Sequence, residues 1–105
     1  GMTAYMSSKA GLLGLTSALA AELGDQGVTV NAVSPGYTRT NMVEASIAAG
    51  EVPANVDELV RAGQAIGKPA SASDMAASVL FLTGPGSDMI TAQFIVTDAG
   101  LTRHF

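Results

Sequence analysis

A long helical stretch near the start of the chain constrains the fold more than any other feature. The pattern predicts one helix from about Thr3 to Leu23, ended by Gly24 and the turn-rich segment Asp25-Gln26-Gly27. Two stripes run along this helix, one of leucines and one of small residues: Leu12, Leu15, Leu19 and Leu23, and Gly11, Gly14, Ala18 and Ala21. We therefore predict two buried faces, with another backbone close to the interior glycines. That backbone could belong to a helix in an oligomer or to a sheet of the same chain.

The first turns of the predicted helix carry a phenol and an ammonium four residues apart. Tyr5 and Lys9 then lie on one helix face, where the positive charge of Lys9 favours the phenolate form of Tyr5. A tyrosine in this setting can exchange protons near neutral pH. The same spacing also occurs on ordinary solvated helix faces, so the pair by itself leaves both interpretations open.

An apolar strand with a proline-glycine turn follows the helix. Residues 28–33 have strand composition, and Ser34-Pro35-Gly36 ends the strand. Ligands of open parallel α/β sheets bind beyond the carboxyl ends of the strands, so residues 35–40 lie where a cofactor would bind. A second strand is predicted at 94–97, closed by the turn Asp98-Ala99-Gly100.

Three further helices are predicted between the two strands. Their starts are marked by capping pairs three residues apart: Asn41 with Glu44, Asn55 with Glu58, and Ser71 with Asp74. The first two helices are predicted at about 42–49 and 56–65. The third has a predicted core face formed by Met75, Ala76, Val79, Leu80 and Leu82. Residues 37–67 are predicted to form a flexible lid inserted between the strands.

Composition favours one small globular domain. The 105 residues are 48% hydrophobic and 13% charged, which predicts a rich core for that size. The net charge is −4 and the five basic residues are scattered, so nucleic acid is not an expected partner. A membrane is not expected either, because no apolar run approaches the roughly eighteen residues of a membrane span. The absence of cysteine agrees with a cytoplasmic protein, and we predict no metal site. His104 is interpreted as part of the tail.

Several motifs, in this order and at these separations, resemble the C-terminal part of the classical short-chain dehydrogenase/reductase family, including members like the 3-oxoacyl-carrier-protein reductases. They are Tyr5-Met6-Ser7-Ser8-Lys9, Val30 to Gly36, Gly67-Lys68-Pro69, Ile90 to Gln93, and Asp98-Ala99-Gly100. The resemblance implies an α/β fold, the C-terminal part of a Rossmann-like doubly wound parallel sheet with about two strands and four to five helices. The family's glycine-rich loop and catalytic serine lie upstream of its tyrosine. Residues 1–105 are therefore expected to be the C-terminal fragment of one dinucleotide-binding oxidoreductase domain, with a substrate loop at about 37–67.

The resemblance also implies an activity and residue roles. The full-length protein would transfer hydride between NAD or NADP and a small-molecule carbonyl or alcohol substrate, as a dimer or tetramer. Tyr5 would act as general acid/base, and both Tyr5 and Lys9 would contact the cofactor. The remaining cofactor contacts would come from Pro35, Gly36, Thr38 and Thr40. The pyrophosphate and adenine sites would lie outside this chain, which alone is expected to be inactive.

Two positions depart from the family pattern. Ala92 and Ala99 stand where the family usually has glycine, so the two ends of the second strand match it least. An alternative function is a non-catalytic module, truncated relative to the family, that self-associates through its first helix and its sheet edge.

Overall fold

The chain folds as an α/β structure. The computed structural model describes residues 1–68 and 70–103, so Pro69 of the predicted Gly67-Lys68-Pro69 motif and the tail residue His104 lie outside the described residues. Within that part, four α-helices and two strands follow one another as α1 (Thr3–Leu23), β1 (Ala32–Pro35), α2 (Asn41–Ala48), α3 (Val56–Gly63), α4 (Ala72–Leu82) and β2 (Phe94–Thr97). No helix of the described residues is both long enough and apolar enough to cross a bilayer.

The two strands pair in parallel, and the long connection between them contains α2, α3 and α4. Ala32 N–H donates to the carbonyl of Gln93 at 2.9 Å, and Gly36 N–H donates to the carbonyl of Thr97 at 2.8 Å. The strands therefore keep one register from the start of their pairing to its end. β2 has the predicted bounds. β1 begins at Ala32 and not at residue 28 as predicted.

Side-chain bonds explain the later start of β1. Val30 N–H donates to the Thr91 hydroxyl at 3.0 Å, and the Asn31 amide nitrogen donates to the Ile90 carbonyl at 2.8 Å. The Asn31 amide oxygen in turn accepts from Gln93 N–H at 3.0 Å. These bonds to side-chain atoms take the place of regular ladder bonds, so the segment before Ala32 is tied down without being a strand.

Helix α1 has the predicted bounds but not the predicted burial. It continues into a 3-10 turn at Gly24–Gln26, and Gly27 closes it in the left-handed region with φ 74°. Only Thr16 and Ala20 are buried along α1, and a Cβ added at Gly11 or Gly14 would meet no atom of residues 1–68 or 70–103 within 4 Å. The prediction of two buried faces is therefore wrong for this chain taken alone.

The rich core expected from composition is also absent. Ala20 is the one buried apolar residue of the described chain. A two-stranded sheet offers too little surface to cover the leucines of α1 and the apolar residues of α4 at once. On α4, Val79 and Leu80 of the predicted core face are exposed, whereas Met75 and Leu82 are partly covered.

The helix starts confirm one capping prediction and correct another. Ser71 and Asp74 form a capping box on α4, in which Ser71 N–H donates to the Asp74 carboxylate at 2.8 Å and Asp74 N–H to the Ser71 hydroxyl at 3.3 Å. The cap of α2 is Thr40 and not Asn41, because Thr40 has the extended backbone of a cap and its hydroxyl accepts from Val43 N–H. Asn55 precedes α3 without a side-chain capping bond.

The chain divides into two compact units. One contains residues 1–34 and 78–95, and the other contains residues 35–77 together with those from 96 onward. The chain passes from one unit to the other within β1, α4 and β2. The first unit holds Tyr5 and Lys9, and the second holds the loop that follows β1.

Candidate functional site

Tyr5 and Lys9 share one face at the start of α1, as their spacing predicts. The Lys9 ammonium nitrogen lies 5.6 Å from the centroid of the Tyr5 ring, within the range of a cation–π interaction. The backbone there is ordered by the helix itself and by the Ser8 hydroxyl, which donates to the Tyr5 carbonyl at 2.7 Å. Tyr5 is 57% exposed, and its hydroxyl has no hydrogen-bond partner in the described part of the chain. The phenol is therefore available to a bound molecule.

The turn at Pro35-Gly36 is fixed against the end of β2 within the second unit. Pro35 is the last residue of β1, a position where its missing N–H removes no interior ladder bond. A Cβ at Gly36 would lie 2.5 Å from the Asp98 Cα, so no other residue fits there without displacing the backbone. Asp98 is buried, and its carboxylate accepts from Gly100 N–H at 2.9 Å and Thr102 N–H at 2.7 Å. These bonds lower the pKa of Asp98, and the largest contribution comes from the Thr102 backbone N–H. The Thr102 side chain and the backbone N–H groups of Gly100 and Leu101 act in the same direction.

Thr38 and Thr40 are held by different bonds in the loop that follows the turn. The Thr38 hydroxyl donates to the Gly36 carbonyl at 3.3 Å, and the Thr38 backbone forms an isolated parallel bridge with Ala70. The Thr40 hydroxyl accepts from Val43 N–H at 3.4 Å, which leaves its own proton available for donation. The loop thus presents one uncommitted hydroxyl donor at the start of α2.

Both ends of the insertion are bonded to the last residue of β2 or to the turn that follows it. At its start, Gly36 N–H donates to the Thr97 carbonyl, and at its end Ala65 and Ile66 N–H both donate to the Ala99 carbonyl at 2.9 and 3.0 Å. Ala99 has φ 57° and Ala92 has φ 58°, in the left-handed region where glycine is favoured. These are the two alanines that stand where the resembled family usually has glycine.

An ion network that the sequence patterns did not reveal joins the loop to both helices of the insertion. Arg39 contacts Glu44 through two bonds, Nε to Oε1 at 2.6 Å and Nη2 to Oε2 at 3.0 Å. Its Nη1 atom donates to Asp57 Oδ2, and the Tyr37 hydroxyl donates to Asp57 Oδ1 at 2.6 Å. Glu44 lies in the first turn of α2, where an acidic residue signals a helix start. Asp57 is 18 residues from Arg39, so no local spacing points to that contact.

The network shifts the pKa values of its members in consistent directions. The Arg39 guanidinium lowers the pKa of Glu44, and the Tyr37 hydroxyl, followed by Arg39, lowers that of Asp57. The bond to Asp57 in turn raises the pKa of Tyr37, because that bond requires the phenol to keep its proton. Both carboxylates are therefore held ionised near neutral pH.

The predicted site residues fall into two groups that are each held locally. Tyr5 and Lys9 belong to the first unit, and Pro35, Gly36, Thr38 and Thr40 belong to the second. A pocket of about 310 Å³ in the first unit and one of about 250 Å³ in the second are lined by none of these residues. Within residues 1–68 and 70–103, no group of three or more His, Cys, Asp or Glu side chains is arranged to hold a metal ion.

Comparison with known proteins identifies the family. A family model described as enoyl-(acyl carrier protein) reductase matches residues 1–102. The chain belongs to the short-chain dehydrogenase/reductase family. This short-chain dehydrogenase/reductase chain is 38% identical over 100 residues to the (2S)-[(R)-hydroxy(phenyl)methyl]succinyl-CoA dehydrogenase subunit BbsD of Thauera aromatica, a match that covers 95% of this chain and 38% of the relative. It is 35% identical over 101 residues to the 3-oxoacyl-[acyl-carrier-protein] reductase FabG of Thermotoga maritima, covering 96% of this chain and 39% of the relative.

A solved dehydrogenase structure agrees with this family membership. A 4-hydroxyisoleucine dehydrogenase complexed with NADH superposes with a TM-score of 0.81 at 29% identity, over 94% of this chain and 39% of that protein. The chain spans about two fifths of the length of the curated relatives it matches, with 38%, 38% and 39% coverage for three of them. The family and the Rossmann-like fold class predicted from the motifs are thereby confirmed.

Proposed function

We propose that the full-length protein is an NAD- or NADP-dependent oxidoreductase that interconverts a small-molecule carbonyl compound and its alcohol. The observation that carries the proposal is the start of α1, where an exposed phenol with an unbonded hydroxyl lies under an ammonium 5.6 Å from its ring centroid. Family membership supports the same activity. The two named relatives are a dehydrogenase and a reductase, and the named solved structure is a dehydrogenase complexed with NADH.

In this proposal Tyr5 moves the proton. During reduction its hydroxyl donates to the carbonyl oxygen of the substrate, and during oxidation the phenolate accepts the proton of the alcohol. The N–H donors of the Lys9 ammonium would hold the nicotinamide ribose. The nicotinamide cofactor, when bound, supplies or accepts the hydride.

The loop after β1 would hold the nicotinamide half of the cofactor. Backbone groups around Thr38 would meet the carboxamide, and the Thr40 hydroxyl proton, which capping leaves available, would be donated to the cofactor. Pro35 and Gly36 would complete these contacts. Residues outside this chain would bind the pyrophosphate and the adenine, commonly at a helix N-terminus.

The remaining proposals concern the whole protein. Residues 1–105 would be the C-terminal fragment of one dinucleotide-binding domain, and the insertion at 37–67 would cover the substrate. The whole protein would be a cytoplasmic dimer or tetramer, and the chain alone would show no NAD(P)H oxidation. The residues that would cradle the pyrophosphate lie elsewhere in this proposal, which is why the isolated chain is expected to be inactive.

Cofactor binding tests the proposal directly. NADH and NADPH fluorescence is titrated with the full-length protein and, in parallel, with the 105-residue chain. We expect the full-length protein to shift or quench the fluorescence of at least one cofactor and to oxidise it in the presence of carbonyl substrates, while the 105-residue chain does neither. A full-length protein that leaves both cofactors unchanged would contradict the proposed function, and turnover by the 105-residue chain would contradict the fragment proposal.

The exposed face of α1 favours a second candidate, self-association of the 105-residue chain without catalysis. Leu12, Leu13 and Leu15 are 44%, 45% and 53% exposed, which leaves large apolar side chains uncovered on the helix. Pairing of two such helices, or of two sheet edges, would cover them. Sedimentation equilibrium at micromolar concentration distinguishes the candidates, since a monomer with a cooperative thermal transition would contradict self-association.

A further inference from the structure

Arg39 occupies a special place in the loop because it lies between the two threonines proposed to contact the nicotinamide. Its side chain extends away from the loop backbone and bonds Glu44 in the first turn of α2 and Asp57 in the first turn of α3. One guanidinium therefore joins three segments: the loop at 37–40, α2 and α3.

The bonds of Arg39 to Glu44 and Asp57 have a more favourable geometry than an ordinary surface ion pair. Exposed pairs contribute little individually, and the side chains of Arg39, Glu44 and Asp57 are 43%, 54% and 36% exposed. Here, however, the arginine binds one carboxylate through two bonds and a second carboxylate through a third, which is the arrangement in which such pairs contribute measurably. Each carboxylate also lies near a helix N-terminus, where the helix dipole favours negative charge.

Tyr37 provides a second connection on the same side. Its hydroxyl donates to Asp57 at 2.6 Å, so the residue after Gly36 and the residue after Thr38 both bind one carboxylate of α3. The two ends of the insertion are anchored separately, by the bonds of Gly36 to Thr97 and of Ala65 and Ile66 to Ala99. Arg39 and Tyr37 are the two loop side chains that bond to α3, while α2 is also bonded to the loop through Thr40.

We propose that Arg39 is a positioning residue, which holds Thr38 and Thr40 in the geometry for cofactor contact and makes the loop move together with the lid helices α2 and α3. This inference rests on the proposed function, because it assigns Arg39 to the cofactor loop of that same site. The proposed role of Arg39 has a consequence that does not follow from Thr38 and Thr40 alone. Binding of cofactor and closure of the insertion over substrate become coupled through one side chain.

The first test separates positioning from general stabilisation by kinetics of the full-length enzyme. Arg39→Gln removes the charge and the fork, Arg39→Lys keeps the charge without the two-bond geometry, and Arg61→Gln removes the same charge from an exposed site on α3. We expect Arg39→Gln to raise KM for the cofactor roughly tenfold with a smaller change in kcat, Arg39→Lys to give an intermediate KM, and Arg61→Gln to behave as wild type. An unchanged cofactor KM in Arg39→Gln, or an equal change in Arg61→Gln, would overturn the positioning role and leave the proposed function intact.

The second test reads the loop without activity. Amide hydrogen exchange of the full-length protein is followed in segments 37–44 and 56–60 for the same three variants. Arg39→Gln is expected to speed exchange in both segments at once, whereas Arg61→Gln changes neither. Unchanged exchange in Arg39→Gln would overturn the inference, as would faster exchange confined to one segment. A wild-type protein that binds neither NADH nor NADPH would overturn the proposed function and the positioning role together.

Discussion

The start of α1 and the loop after β1 hold their proposed functional residues by opposite means. Tyr5 and Lys9 are placed by regular helical backbone, and the side-chain bond beside them is local, from the Ser8 hydroxyl to the Tyr5 carbonyl. Residues 35–40 instead depend on bonds to distant positions, from the Tyr37 bond to Asp57 to the Gly36 approach to Asp98. A helix places a side chain through its period, whereas an irregular loop needs a particular partner for almost every residue.

This difference implies different responses to substitution. On α1, replacing a functional group should remove chemistry and leave the fold unchanged, because the group supports nothing else in the described chain. In the loop, replacing a supporting residue should disturb the fold first and the chemistry as a consequence. The predictions below test that contrast, beginning with the largest expected effect.

The largest expected effect is loss of activity in the full-length Tyr5→Phe variant. The change removes the proton donor and keeps the ring, so turnover should fall by about 100-fold to 10,000-fold while thermal stability stays near that of wild type. Steady-state kinetics and a thermal melt measure the two quantities.

The other tyrosine of the chain provides a matched control. Tyr37→Phe removes a hydroxyl that bonds Asp57, so it should lower the melting temperature and retain much of the turnover. If Tyr5→Phe kept near-normal kcat, the assignment of Tyr5 as general acid/base would be wrong. If both variants lost only stability, the contrast between the two regions would fail.

The next effect is on folding, at the turn after β1. Gly36→Ala places a Cβ 2.5 Å from the Asp98 Cα, and the turn must shift away from the end of β2 to relieve the clash. We expect the full-length protein to lose about 2–3 kcal/mol of unfolding free energy, measured by urea denaturation.

Gly24→Ala is the control for a glycine-to-alanine change without a clash. Gly24 follows α1 with helical angles, φ −58° and ψ −41°, and no atom in the part of the chain that the structure describes lies within 4 Å of its added Cβ. Alanine there should stabilise by about 0.5–1 kcal/mol, because it restricts the unfolded chain and suits a helical conformation. Equal effects at the two glycines would show that the loop does not depend on its close approach to Asp98.

These contrasts also explain how much of the molecule could be predicted from sequence. Helix α1 and strand β2 were predicted with the observed bounds because their signals are local: a helical period with a glycine stop, and a β-rich run before a turn. The capping box of Ser71 and Asp74 was predicted for the same reason. Family membership could be predicted because several short motifs occur together in the order typical of the family.

The predictions that were wrong, and the network that was missed, depend on contacts that are not local in sequence. The start of β1 depends on side-chain bonds from Val30 and Asn31 to residues about 60 positions away, and no pattern within the strand predicts them. The burial of α1 depends on what covers it, which amphipathic patterning cannot specify. The Arg39 network was missed because Asp57 lies on another helix, although the acidic residue in the first turn of α2 could have suggested Glu44 as a partner.

A smaller effect should locate the surface that covers α1. Gly14→Ala in the 105-residue chain adds a Cβ with no neighbour within 4 Å among the described residues, so the helix should gain about 1 kcal/mol of intrinsic stability. If a second copy packs against the small-residue stripe, the same methyl group should weaken self-association by roughly tenfold.

Sedimentation equilibrium and circular dichroism measure these two changes. Ser17→Ala, at an exposed position of the same helix that belongs to neither stripe, serves as the control. Association unchanged by Gly14→Ala would show that the stripe of small residues is not the contact.

The smallest expected effect concerns the left-handed alanines at the two ends of β2. A non-glycine residue at φ near 57° costs about 1 kcal/mol, while glycine costs about 0.4–1 kcal/mol through the greater freedom of the unfolded chain. Ala99→Gly should therefore stabilise the full-length protein by at most about 0.5 kcal/mol, visible as a small rise in the urea midpoint. Gly100→Ala is the reverse control in the same turn, because its Cβ would lie 2.7 Å from the Ala65 Cβ and its φ of 74° disfavours alanine. It should destabilise by more than Ala99→Gly stabilises, and a loss of stability in Ala99→Gly would mean that the alanine methyl makes a packing contact that offsets its backbone strain.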